Sequence, residues 1–138
     1  MDFGSLEEVI VNGMNGGAGE MSVRMFHDGR HRIIETRMPP GSSIGDHLQT
    51  TGDDVNFVVE GIGTAFCDGT EETLRPGTCH VCPIGSRHSI INTGATDLVL
   101  WTVIVYEVER EGDARHPTDP EENRSIRQGI SADELVER

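Results

Sequence analysis

Gly77-Thr78-Cys79-His80-Val81-Cys82-Pro83-Ile84-Gly85-Ser86-Arg87-His88-Ser89-Ile90-Ile91-Asn92 is the stretch on which the fold turns. Two short β-forming runs, residues 78–82 and 88–92, flank Pro83-Ile84-Gly85. Proline lacks a backbone donor and fixes φ, and glycine takes conformations other residues avoid. Together they stop one strand and turn the chain into the next. Side chains two apart on a strand share a face. His80 and Cys82 therefore look one way, and Cys79 and Val81 the other. The thiols of Cys79 and Cys82, three apart, do not converge on one ion. This C-x-x-C reads as structural, not as a zinc or redox motif.

The same grammar extends in both directions. Upstream, Met21, Val23 and Met25 alternate, and residues 31–38 carry a second run that ends at Pro39-Pro40-Gly41. Residues 47–49 form a short strand and residues 50–53 a polar turn. Residues 55–60 are strongly β-forming up to Gly61-Ile62-Gly63. The run 64–67 meets Asp68-Gly69, the pair favoured in a type I′ hairpin, and Leu74 closes that hairpin before Pro76-Gly77. Downstream, residues 93–97 are a turn and residues 98–108 the longest strand. Many short strands separated by Gly, Pro and Asp turns mark a sandwich or a closed barrel. The class is all-β.

The ends differ from this middle. Residues 1–20 are an N-terminal segment in which 6–11 form a helical turn or an edge strand, followed by a Gly-rich loop. Residues 21–110 hold the barrel, and 111–138 are a polar C-terminal extension with two short helices. Asp119-Pro120-Glu121-Glu122 offers an N-cap, a proline at the first helical position and acids in the first turn. Ser131-Ala132-Asp133-Glu134 spells a capping box before Leu135 and Val136.

Composition removes several function classes. The chain has 138 residues, the size of one domain, and 11 basic against 24 acidic residues give a net charge of −13. Such a surface repels phosphate backbones, which argues against nucleic acid as a partner. All the basic residues are Arg, so lysine Schiff-base and P-loop chemistry are excluded. Three cysteines without a secretory segment do not make a disulfide framework. No run reaches the roughly 18 apolar residues of a membrane span, so a soluble cytoplasmic protein is expected.

The chemistry gathers in two places. One is the stretch above. The other runs from Gly41 through His47, Leu48 and Gln49 to Asp54-Val55-Asn56 and on to Gly61. His47 and Gln49 share a face, and Asp54 opens the following strand. With His88, these put four polar side chains toward one interior. That is costly unless they share a ligand, a hydrogen-bond network or water. Imidazole and carboxylate donors suit a first-row divalent metal. Asn56 shares the face of Asp54 and His80 that of Cys82, so these three become candidates for a substrate pocket wherever those faces line an interior. A nucleophilic Cys82–His pair lacks a recognisable third group. His27, His31 and His116 read as surface residues, and Asp53, Glu71-Glu72 and Glu121-Glu122 as solvated acids.

Taken together, the two stretches resemble the paired motifs of the cupin superfamily. The second matches at every spacing: Gly77, five residues, Pro83, one, Gly85, two, His88, three, Asn92. The first matches in outline: His47, one residue, Gln49, four, Asp54, six, Gly61. It departs in three ways: one extra residue between Gly41 and His47, Gln49 in place of a second His, and Asp54 in place of Glu. The resemblance spans residues 31–106 and implies a small double-stranded β-helix, the jelly-roll barrel. It implies a divalent transition metal (Fe, Mn, Ni or Zn) on His47, Gln49, Asp54 and His88. There Gln49 would be a weak amide ligand, and Asp54 would be one methylene short of the usual Glu. It also implies a small polar or acidic ligand and a homodimer, with residues 6–11 available as a swapped edge. Metal-dependent oxygenase, isomerase and lyase chemistries all suit such a barrel, and no catalytic residue or organic cofactor is assigned. The alternative is a metal-free barrel that binds or senses a small molecule without transforming it.

Overall fold

The computed structural model describes residues 1–106, in which ten strands form two antiparallel sheets. In chain order these are β1 (Val9–Asn12), β2 (Glu20–His27), β3 (His31–Met38), β4 (Ser43–Leu48) and β5 (Gly52–Glu60). They continue with β6 (Gly63–Cys67), β7 (Thr70–Leu74), β8 (Cys79–Cys82), β9 (Arg87–Asn92) and β10 (Leu98–Tyr106). One sheet runs β1-β2-β3-β10-β5-β8 and the other β4-β9-β6-β7. The helices expected around Pro120 and Ala132 lie outside the described residues. No helix among the described residues is long and apolar enough to cross a membrane.

Period-two alternation does most of the work. Along β5, Gly52, Asp54, Asn56 and Val58 are buried while Asp53, Phe57 and Val59 are exposed. Along β10, Leu98, Leu100, Thr102 and Ile104 all face in. Ile34, Met38, Leu74, Leu98 and Leu100 are fully shielded from solvent and anchor the core. The Asp68-Gly69 turn has φ of 48° and 81°, the two positive values a type I′ hairpin needs.

The N-terminus is built into the structure. Residues 9–12 form an edge strand, not a helical turn, and β1 pairs with β2 of the same chain. Met14 is buried in the core, and the Phe3 ring packs on Trp101 with centroids 4.7 Å apart.

One irregularity positions the site. In the β4–β9 pair, Ile44 opposes Ile90 and the next partners are His47 and His88. Three steps on β4 answer two on β9, which is a β-bulge. The residue that lengthens the Gly41-to-His47 spacing is taken up there. An odd step reverses the face of every side chain that follows. The bulge cancels that reversal and turns His47 inward. Gly45 is required within it, because a Cβ there would collide with the carbonyl oxygen of Asn15 in the 3₁₀ turn Met14–Gly16. The short strand expected at 47–49 begins earlier, at Ser43, and ends at Leu48. Gln49 follows it but stays tied to the β8–β9 turn, its N–H donating to Ser86 O and its carbonyl accepting from Gly85 N, both at 2.8 Å.

Candidate functional site

His47, Asp54 and His88 meet where β4 and β8 finish and β5 and β9 begin. One ligand atom from each lies within 4.8 Å of the other two. Asp54 and His88 are buried, and His47 is half-buried. His88 Nε2 is 3.1 Å from His47 Nε2 and 3.5 Å from Asp54 Oδ2.

Each group is oriented from behind. His47 Nδ1 lies 2.8 Å from the Gly45 carbonyl oxygen. A carbonyl only accepts, so that nitrogen carries the proton and Nε2 turns a lone pair toward His88. The bulge thus supplies both the facing and the tautomer of His47. Asp54 Oδ1 accepts from Asn56 Nδ2 at 3.0 Å, and Asn56 Oδ1 accepts from Thr102 Oγ1 at 2.6 Å. This follows from register, since Asn56 opposes Thr102 on one side and His80 on the other. The Thr102–Asn56 bracket engages one carboxylate oxygen of Asp54 while the other faces His88.

His80, only 2% exposed, stands behind His88, with its Nε2 3.3 Å from His88 Nδ1. Its own Nδ1 is 3.7 Å from Glu72 Oε1 at the rim. Burial pulls the His80 pKa below the usual imidazole value, against the raising influence of Glu72 and Asp54. Cys82, opposite Asp54 in register, is buried. Burial, then the neighbouring Cys67 thiol, pushes its pKa up, so it is a protonated wall and not a nucleophile at neutral pH. Cys79 is exposed on the opposite face, as strand parity requires.

Gln49 is fully buried, and its Nε2 donates to Gly52 O at 2.9 Å and Thr51 Oγ1 at 3.1 Å. A carbonyl acceptor fixes the amide orientation, because flipping it would set oxygen against oxygen. Gln49 therefore braces the turn that delivers Asp54. Its Oε1 is buried without a hydrogen-bond partner.

Three participants escaped the sequence reading. Thr102 had a signal, as the single polar side chain in the inward row of β10. The Gly45 carbonyl and Glu72 had none, since a backbone acceptor is invisible in sequence and Glu72 stands among solvated acids. Of the histidines read as surface, His31 is exposed and His27 half-buried, while His116 lies outside the described residues.

The donor set fits a divalent first-row ion. Ligands about 2.1 Å from a common centre are separated from one another by roughly 3 to 3.5 Å, and the two His88 distances fall in that range. Two imidazoles with one carboxylate suit Fe, Mn, Ni or Zn. Gln49 Oε1 is a further buried oxygen that the protein leaves without a hydrogen-bond partner.

The profile of the cupin domain family matches residues 34–106. An oxalate-binding protein from Thermotoga maritima is 30% identical over 101 residues, which are 69% of this chain and 84% of that protein. Among solved structures, a predicted oxalate decarboxylase from Thermotoga maritima superposes with a TM-score of 0.72 at 26% identity. The match covers 76% of this chain and 96% of that one. An RmlC-like cupin from Shewanella frigidimarina reaches a TM-score of 0.64 at 18% identity, over 77% and 88% of the two chains, which is a likeness of fold alone.

Proposed function

The chain belongs to the cupin family, and from that premise we propose that its barrel binds a divalent metal through His47, Asp54 and His88 and, with it, a compact dicarboxylate of the oxalate type. One observation carries the reading: three donors from three strands of two sheets lie within 4.8 Å of one another. Gathering them without an ion or ligand would cost desolvation with little return.

The chain's own residues divide the work. His47, held by the Gly45 carbonyl, keeps a bare Nε2 toward the site. Asp54 is aimed by Asn56 and Thr102. When bound, the ion supplies Lewis acidity to a carboxylate ligand. Two supports favour an acidic ligand over a neutral one. The relative at 30% identity is named for oxalate. Arg32 is the one buried arginine among the described residues, and it lies on the transverse row that continues through Ile104 to Asp54. The reading is one of binding, and no catalytic residue is assigned.

A second reading, a metal-free pocket, is favoured by the 3.1 Å His88–His47 contact, which joins the two imidazoles without an ion. Elemental analysis of protein purified without affinity-tag metal, followed by oxalate calorimetry before and after chelation, separates the two. We expect close to one metal per chain and oxalate binding that disappears with the metal. His88→Ala is expected to lose more than about 100-fold in Zn²⁺ affinity, beyond the range of outer partners. Less than about a tenth of a metal per chain, with no stabilisation on adding metal and oxalate still bound, establishes the metal-free pocket instead.

A further inference from the structure

We propose that His80 and Glu72 form an outer relay that sets the ring tautomer of His88, so that loading an ion moves two imidazoles together from one tautomer to the other. The inference rests on the metal reading above and concerns residues that do not touch the ion.

The geometry is a line of four groups. Glu72 Oε1 lies 3.7 Å from His80 Nδ1, His80 Nε2 lies 3.3 Å from His88 Nδ1, and His88 Nε2 lies 3.1 Å from His47 Nε2. Both inner rings are buried and stacked 16° from parallel. A neutral imidazole has one N–H and one lone pair, so fixing one end of the line fixes the rest. His47 donates Nδ1–H to the Gly45 carbonyl and offers a bare Nε2. With neutral rings and no ion, His88 meets that lone pair with Nε2–H. Its bare Nδ1 then accepts from His80 Nε2–H.

An ion reverses the order. Coordination needs a lone pair on His88 Nε2, so its proton must sit on Nδ1. The proton crosses to His88 Nδ1 from His80 Nε2, which is left bare to accept that N–H, and His80 takes a proton from solvent on Nδ1, facing the Glu72 carboxylate. One proton leaves His88 Nε2 for solvent and one arrives at His80 Nδ1, so each ring stays neutral and the count balances. A ligand imidazole ordinarily gives its second N–H to a carboxylate, a carbonyl or water. Here a second imidazole stands between ligand and carboxylate, carrying that role from the buried site to the half-exposed Glu72.

The test uses the full chain with ¹⁵N-labelled histidine and Zn²⁺ alone as the probe. Two-bond ¹H–¹⁵N spectra report which ring nitrogen carries each proton. We expect Nε2–H on both His80 and His88 without the ion, and Nδ1–H on both with it. His80→Phe, which keeps the ring volume, is expected to weaken Zn²⁺ binding about 10- to 100-fold. His80→Gln, whose amide oxygen accepts from His88 Nδ1–H, is expected to recover most of that loss. Glu72→Gln is expected to weaken binding about two- to fivefold, as suits a half-exposed charge, and it carries the test should His80→Phe fail to fold. A folded His80→Phe that binds Zn²⁺ as tightly as the wild type overturns the relay. So does His80 retaining Nε2–H in the loaded protein, or a Glu72→Gln variant with undiminished affinity. A wild-type chain that takes up no Zn²⁺ overturns the metal reading and the relay with it, whereas the other outcomes overturn the relay alone.

Discussion

Met38, Leu74, Leu98 and Leu100 are shielded from solvent as completely as Asp54, Gln49, Asn56 and His80, within one barrel. The physical consequences are opposite. Each large apolar side chain gains about 1.5 to 3 kcal/mol by leaving water. A polar group gains little even when hydrogen-bonded, and costs more when it is not. The Leu-rich region therefore holds the fold together, and the His/Asp region adds little to it. Burial alone does not separate a core from a site. The discriminating quantity is whether each buried atom is satisfied by the protein itself.

This division can be attacked in order of expected effect. Leu100→Ala removes a fully buried side chain from the apolar region and is expected to cost about 2 to 5 kcal/mol in urea denaturation. Zn²⁺ affinity per folded molecule should be unchanged, and a parallel loss would mean that the two regions are coupled. Thr102→Val keeps the shape but removes the 2.6 Å hydrogen bond to Asn56, with an expected cost of about 1 kcal/mol. It should also weaken metal binding, because Asp54 loses its bracket. Stability loss with unaltered binding would show that the bracket serves packing only. Arg87→Ala breaks a 2.9 Å pair with Asp46, but both side chains are more than half exposed. Less than about 0.5 kcal/mol is expected. A larger cost than that of Thr102→Val would overturn the ranking by burial.

Much of this was legible beforehand where a rule of local chemistry applies. The strand at 31–38 was read with the bounds it has, because the alternation ends at Pro39-Pro40. That His80 and Cys82 share a face followed from parity, and the Asp68-Gly69 turn from its φ preference. What was not legible depends on partners distant in sequence. The bulge in β4 is defined by β9 and by the contact between Gly45 and Asn15, and none of these is local. That Gln49 also braces the turn, its Nε2 donating to the Gly52 carbonyl, was not legible, because the partner is a backbone oxygen. Glu72 gains significance only because β7 brings it beside His80, and its own neighbourhood in the chain is plainly solvated.

The extra residue in β4 also constrains how this molecule can vary. Insertions and deletions in a surface loop usually change length and little else, but between Ile44 and His47 they make or remove a bulge. Losing one residue there would leave two steps facing two, so the ladder would zip without its kink and the ring at position 47 would still oppose His88 and face inward. Alignments of related chains should be phased on the facing pair His47 and His88, with the gap placed at Gly45-Asp46, before any ligand position is compared.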